Sequence, residues 1–207
     1  MTISVHPGAD DRDWGGRLPR AESIELDDDQ RAARAEILER SARWAERSGF
    51  APTDDEGGLI GPFTAFALRP EPGRAFNRWV QTDQRGSSLP ATIREVVILT
   101  VGVAWQAEYE IYAHVAVART VGLSETVIDG LRRGSTDGFG PDELAAYRFV
   151  DELVRTHRVA DDTYAAAEEA FGRDGVLDMV HLTGMYLATS ALLNAFAIPA
   201  PPIPDPS

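Results

Sequence analysis

Apolar residues recur at intervals of three and four along most of the chain, the spacing of helices that bury one face. Asp27 with Gln30 three residues later forms a capping-box pattern. It precedes a helix that carries Ala33, Ile37, Trp44 and Ala45 on one face and stops at Gly49. A loop rich in Gly, Pro and Asp comes next over 50–62, then short helices over 63–68 and 72–82. Pro90 suits the first turn of a helix running through Glu95, Ile98 and Val101. A turn near residues 104–106 leads into a second helix, 107–121, closed by Gly122. Ser124 caps a shorter helix, and Pro141 opens one that reaches about residue 158. Asp161 or Asp162 caps another as far as Phe171, and Asp174 begins the last. The β-branched run at 96–100 reads equally as a strand, but Pro90 and the lack of any partner strand elsewhere favour a helix.

These elements predict one all-α domain over 26–198, built round the antiparallel hairpin at 90–121. Residues 1–25 read as a polar, Gly-rich tail, and 199–207, with five prolines in nine residues, as a second tail.

Composition narrows the chemistry. The chain has 207 residues, 43% of them hydrophobic, enough for one well-buried domain. Its 33 acidic and 20 basic side chains leave a formal net charge of −13, the wrong sign for tracking nucleic-acid phosphates. There is no cysteine, which excludes disulfides, thiolate metal sites and cysteine nucleophiles. There is no lysine either, so Schiff-base chemistry on a side-chain amine is excluded. The N-terminal residues lack the continuous apolar stretch of a signal peptide. The apolar region 176–198 is broken by Asp178, His181, Thr183, Ser190 and Asn194, which suits a core helix better than a membrane span. A cytoplasmic protein with no nucleic-acid or membrane partner is expected.

One constellation stands out. With the turn centred near residues 104 and 105, Glu95 lies about ten residues before it and His114 about nine after. At roughly 1.5 Å of rise per residue, both come to a similar height on the two arms. Glu110 lies one helical turn before His114 and shares its face, and Tyr109 and Tyr112 lie beside them in sequence. A carboxylate, an imidazole and a second carboxylate inside an apolar helix pair are the components of a tuned proton-transfer site. Glu–His pairs four apart also occur on solvated helix faces, so the spacing alone leaves a structural role open. Glu95, set in an apolar run, needs a partner in any case.

Other residues have plainer readings. His6 falls in a tail, His157 suits a helix C-terminus and His181 is expected to be a hydrogen-bonded core histidine. Trp44, Trp79 and Trp105 are core or interface anchors, with Trp105 at the turn also placed to line a pocket. Phe63 and Phe66 are ordinary packing or pocket wall. A metal would need a third ligand beside His114 that the spacing does not supply, so no metal and no other cofactor is expected.

The residues also resemble a known family. Leu89-Pro90, Arg94-Glu95, Glu108-Tyr109-Glu110, His114 and Gly122-Leu123-Ser124 are similar to the pattern of the carboxymuconolactone decarboxylase and alkylhydroperoxidase-like proteins. Gly61-Pro62-Phe63, Asp151-Glu152-Leu153, Gly184, Tyr186 and Asn194 extend the similarity, which spans roughly 58–198. Ile111 departs from it, standing where the family often has Trp. The resemblance implies an alkylhydroperoxidase-like helical bundle, a trimer or a hexamer made of trimers, and an active site near subunit contacts. The family's peroxidase branch carries a Cys-x-x-Cys whose positions read Ala107 and Glu110 here, so thiol peroxidase chemistry is closed to this chain. What the resemblance leaves is the cofactor-free branch. That implies decarboxylation or isomerisation of a small carboxylated or lactone-like substrate, with His114 as proton donor, Glu95 orienting it, and Glu110 or Tyr109 as second proton-transfer group. Arg94, Arg78 and Arg119 are candidate cations for an anionic substrate, with Arg94, Phe63, Trp105 and Tyr112 as the expected binding residues. A ligand-binding or scaffold member without catalysis is the alternative.

Overall fold

Among the residues that the computed structural model describes (14, 16–201 and 203), every regular element is helical except one isolated bridge between Thr53 and Leu59. His6 and most of the expected C-terminal tail fall outside the described residues.

Helix α1 (Asp28–Ile37) begins at the predicted capping box. The Gln30 amide donates to Asp27 Oδ1 at 2.8 Å and the Asp27 amide to Gln30 Oε1 at 3.0 Å. A π-turn at Leu38–Ala42 carries it into α2 (Arg43–Arg47). After the loop come α3 (Pro62–Leu68) and α4 (Pro70–Gly86), the latter longer at both ends than its periodicity predicts. The central pair is α5 (Ala91–Trp105) and α6 (Glu108–Thr120), joined by Gln106 in the left-handed conformation (φ 55°). Beyond them lie α7 (Glu125–Arg133), capped by Ser124 as expected, α8 (Pro141–Thr156) and α9 (Asp161–Ala195). Gly172 (φ 67°, ψ 175°) breaks α9 close to where the sequence separates two helices. The N-cap of α9 is Ala160, so Asp161 and Asp162 occupy the first turn, where their charge still favours the helix dipole.

Helix α5 is the axis. Its 96–102 stretch is buried on every side, so the β-branched run reports burial and not a strand. Val96, Val97, Leu99 and Val101 pack with Ile128 and Leu131 of α7, Phe149 and Val150 of α8, and Met179 and Leu182 of α9 in one core. A second core gathers Ile37, Phe50, Leu59, Phe63, Tyr109, Tyr112 and Leu193 on the far side of α6. Residues 16–25, which the sequence presents as tail, dock onto the end of α9, where the Arg17 amide donates to the Phe196 carbonyl at 2.7 Å. Arg20 pairs with Asp54, and Ala21 and Leu26 are buried.

Candidate active site

Each side chain of the site is placed by its helix register. Glu95 and His114 project from the facing sides of α5 and α6, and the left-handed turn at Gln106 sets them level. His114 Nδ1 lies 2.8 Å from Glu95 Oε2, with both side chains more than nine-tenths buried. A buried carboxylate is costly without a partner, and here the imidazole supplies one. With Glu95 accepting a hydrogen bond from Nδ1–H, Nε2 is the other nitrogen of the imidazole.

Glu110 lies one turn before His114 and is 2% exposed. Its Oε2 accepts a hydrogen bond from Ser190 Oγ of α9 at 2.9 Å, while Oε1 has no partner among the described residues. Gly102 makes room for it on α5, since a Cβ there would come within 3.1 Å of Oε1. Burial pushes the Glu110 carboxyl well above the usual carboxylate range, and the single Ser190 hydrogen bond only partly opposes this. Burial therefore favours the protonated, uncharged form of the Glu110 carboxyl.

Tyr186 of α9 completes the floor. Its ring meets His114 edge-on, with centroids 4.8 Å apart. Burial pushes its hydroxyl well above the usual phenol range; Glu95 and Glu110 add to this and Arg94 opposes it. Arg94, next to Glu95, donates from Nη2 to Asp83 Oδ2 of α4, and its Nη1 is buried without a partner.

The remaining expected residues lie elsewhere. Tyr109 and Tyr112 turn into the second core, where they hold one residue of the 50–61 loop: the Tyr109 hydroxyl donates to the Ala51 carbonyl and the Ala51 amide donates to the Tyr112 hydroxyl, each at 2.9 Å. Phe63 packs in the same core. Trp105 has its side chain 40% exposed at the hairpin turn, and its carbonyl accepts from Asn194 Nδ2. Arg119 pairs with Glu125 beside α7, and Arg78 is exposed on α4. His181 is exposed on α9 and not in the core: it lies about 100° round the helix from the buried Leu182 and one turn after the exposed Leu177. An open apolar hollow of about 300 Å³ between α3, α4 and α9, walled by Phe66, Phe76, Leu192 and Phe196, contains none of the proton-transfer residues. Sequence reasoning misses Ser190, whose hydroxyl reaches Glu110, as a site residue. Its signal is nonetheless present, as a polar residue within a largely apolar helix.

The architecture defines a class: TM-scores to solved structures place the chain among all-α, alkylhydroperoxidase-like folds. An uncharacterized peroxidase-related protein from Ralstonia eutropha JMP134, described as an alkylhydroperoxidase AhpD core, is 21% identical, with 89% of this chain and 92% of that one covered and a TM-score of 0.69. A peroxidase-related protein from Silicibacter sp. TM1040 is 17% identical over 92% and 94%, with a TM-score of 0.70. The debrominase Bmp8, solved as a cysteine-to-alanine variant with 2,3,4-tribromopyrrole, is 13% identical over 81% and 88%, with a TM-score of 0.66. Residues 70–152, from α4 to α8, match the carboxymuconolactone decarboxylase family. The matched region contains no cysteine. Among curated protein sequences nothing matches it.

Proposed function

We propose that the protein is a cofactor-independent lyase or isomerase that moves a proton on a small carboxylated or lactone-like substrate. The observation that carries this reading is the buried Glu95–His114 pair beside a buried Glu110 whose second oxygen is unpartnered and whose proton burial helps to hold. In the lyase version the bond from the substrate's α-carbon to its carboxylate breaks and CO₂ departs. The electron pair passes into a dienolate, and a proton from His114 forms a C–H bond at the distal carbon. Glu95 orients the imidazole through its Nδ1 hydrogen bond. Glu110 supplies a second proton, or a hydrogen bond to the developing oxyanion. In the isomerase version the same groups remove and return a proton with no carbon lost. Thiol peroxidase chemistry is outside this site's reach, because position 110 carries a carboxyl and the chain has no thiol.

The reading includes a cytoplasmic, self-associated protein. The most apolar window of α9 has 39% of its residues buried, and Leu177 and Val180 on it stand 52% and 42% exposed. A second copy of the chain is the proposed cover for that face.

A substrate panel of unsaturated lactone acids tests the function, with turnover and binding followed together by mass spectrometry. His114→Gln is expected to keep the fold and lower turnover by about 10²–10⁴-fold, the usual contribution of a positioned acid or base. Binding without product in the wild type favours the non-catalytic alternative. Turnover untouched in His114→Gln defeats the proton-transfer reading.

A further inference from the structure

The hollow of about 300 Å³ between α3, α4 and α9 takes no part in the proton-transfer chemistry, and its walls are held by specific contacts. A Cβ on Gly73 would come within 2.7 Å of the Phe66 carbonyl oxygen, so glycine there lets α4 cross close over α3, and the Phe66 and Phe76 rings meet at 5.3 Å. The junction of the two helices is pinned on both sides of Arg69. Its amide donates to the Ala65 carbonyl and its carbonyl accepts from the Gly73 amide, each at 3.0 Å. Gln30 Nε2 donates to the neighbouring Leu68 carbonyl at 3.0 Å. On the far side, Leu18 belongs to the docked segment, where the Arg17 amide donates to the Phe196 carbonyl and a Cβ on Gly16 would come within 2.3 Å of the same oxygen. A hollow framed in this way is preformed, and its volume is at the lower end of small-molecule sites. Ala188 and Leu192 supply its α9 wall, whereas Ser190, which reaches Glu110, lies about 200° round the helix from Ala188. The hollow and the proton-transfer groups are therefore on opposite sides of α9.

The chemistry of the walls names the ligand class. Leu18, Phe66, Phe76, Leu192 and Phe196 offer ring and aliphatic carbon. The Thr189 hydroxyl donates back to the Met185 carbonyl of its own helix at 3.2 Å, so its proton is already engaged. Arg69 is the single charged residue of the wall. It is exposed, and no carboxylate of the described residues pairs with it. Such a lining lacks the donors and acceptors that a sugar or a nucleotide needs, and one guanidinium balances one negative charge. We propose that the hollow binds a small amphipathic monocarboxylate, with its hydrocarbon body among the phenylalanines and its carboxylate on Arg69. In a chain of net charge −13 an anionic guest needs a local cation, and Arg69 supplies it. The assignment goes beyond the proposed proton transfer and does not depend on it.

Octanoate, hexanoate and the uncharged octanamide are the probes, titrated into the full chain by calorimetry. Octanoate is expected to bind about fivefold or more tightly than octanamide, the contribution of one charge-assisted contact. Hexanoate should bind about tenfold more weakly than octanoate, since each CH₂ taken from water is worth roughly three- to fourfold. Arg69→Gln should bring octanoate down to the level of octanamide. Ala188→Leu and Ala65→Leu each fill the hollow from a different helix and should remove octanoate binding. Both should melt at or above the wild-type temperature, because the added carbon occupies open apolar space, and this separates a blocked site from a damaged fold. No octanoate binding up to about 10 mM, weaker than the millimolar range expected of a small acid, overturns the proposal. So do equal affinities for octanoate and octanamide, or wild-type octanoate binding in both filled variants. A fall in assembly mass in both filled variants also overturns it, by assigning the hollow to a contact between copies of the chain. His114→Gln should bind octanoate as the wild type does, which leaves this site standing even if no turnover is ever observed; loss of binding there would move the acid to the proton-transfer groups and defeat the assignment.

Discussion

Replacing Glu110 by Gln should stabilise the protein at neutral pH, and the gain should grow with pH. In the folded chain the carboxyl is buried, with one oxygen on Ser190 and the other unpartnered, so its pKa lies well above the ordinary 4.5 it regains on unfolding. Below 4.5 both states hold the proton and the group is neutral in its effect on folding. Above 4.5 the unfolded chain releases the proton while the folded chain keeps it, so the unfolded state binds fewer protons and stability falls as pH rises. The slope is about 1.4 kcal/mol per pH unit, one proton's linkage, until the folded group itself ionises and the loss levels off. Glutamine keeps an acceptor for Ser190 and cannot ionise. The stability difference between Glu110→Gln and wild type should therefore rise by about 1.4 kcal/mol for each pH unit above 4.5 until the folded carboxyl itself ionises, each unit equivalent to roughly 3–6 °C in melting temperature for a chain of this size. Urea titrations of both proteins between pH 5 and pH 8 measure it. The other carboxyls contribute equally to both proteins and cancel. A difference that stays flat with pH, or shrinks as pH rises, would show that Glu110 is ionised in the folded state and would refute its role as a proton store.

Tyr109→Phe should cost about 1–3 kcal/mol in a urea titration, because it leaves the Ala51 carbonyl without its partner, and turnover of any substrate found should hardly change; a hundredfold loss would return Tyr109 to the catalytic set. Light scattering at micromolar concentration should give a mass of three or six chains of 22.5 kDa, and Val180→Glu should lower it; a wild-type monomer would leave the α9 face without its proposed cover.

The hairpin is legible in the sequence because its signals are local. Pro90 and Gly122 mark its outer ends, and equal distances from the turn level Glu95 with His114 whatever surrounds them. Tyr109 and Tyr112 enter the expected site on adjacency in sequence, which is the weak form of the argument. Neighbours on a helix diverge by about 100°, so Glu110 and His114 face α5 and α9 while the two tyrosines face the 50–61 loop. The α9 contribution is harder to read. Ser190 meets Glu110 across 80 residues of chain, and only packing decides which face of an apolar helix turns inward. The docking of residues 16–25 is hidden for a related reason: a polar, Gly-rich composition says nothing of the backbone carbonyls at 195 and 196 that receive it.

The single left-handed residue at the hairpin turn has a consequence for how this scaffold can change. Gln106 fixes the number of residues between Glu95 and His114, and each residue added or removed would turn one arm by about 100° and shift it by about 1.5 Å relative to the other. Length is therefore frozen between the two helices, whereas the identity of the side chains on their facing surfaces is not. Whatever side chain stands at position 110 lies one helical turn from His114 and on the same face of α6. The scaffold can exchange one chemistry for another by substitution alone, and never by insertion.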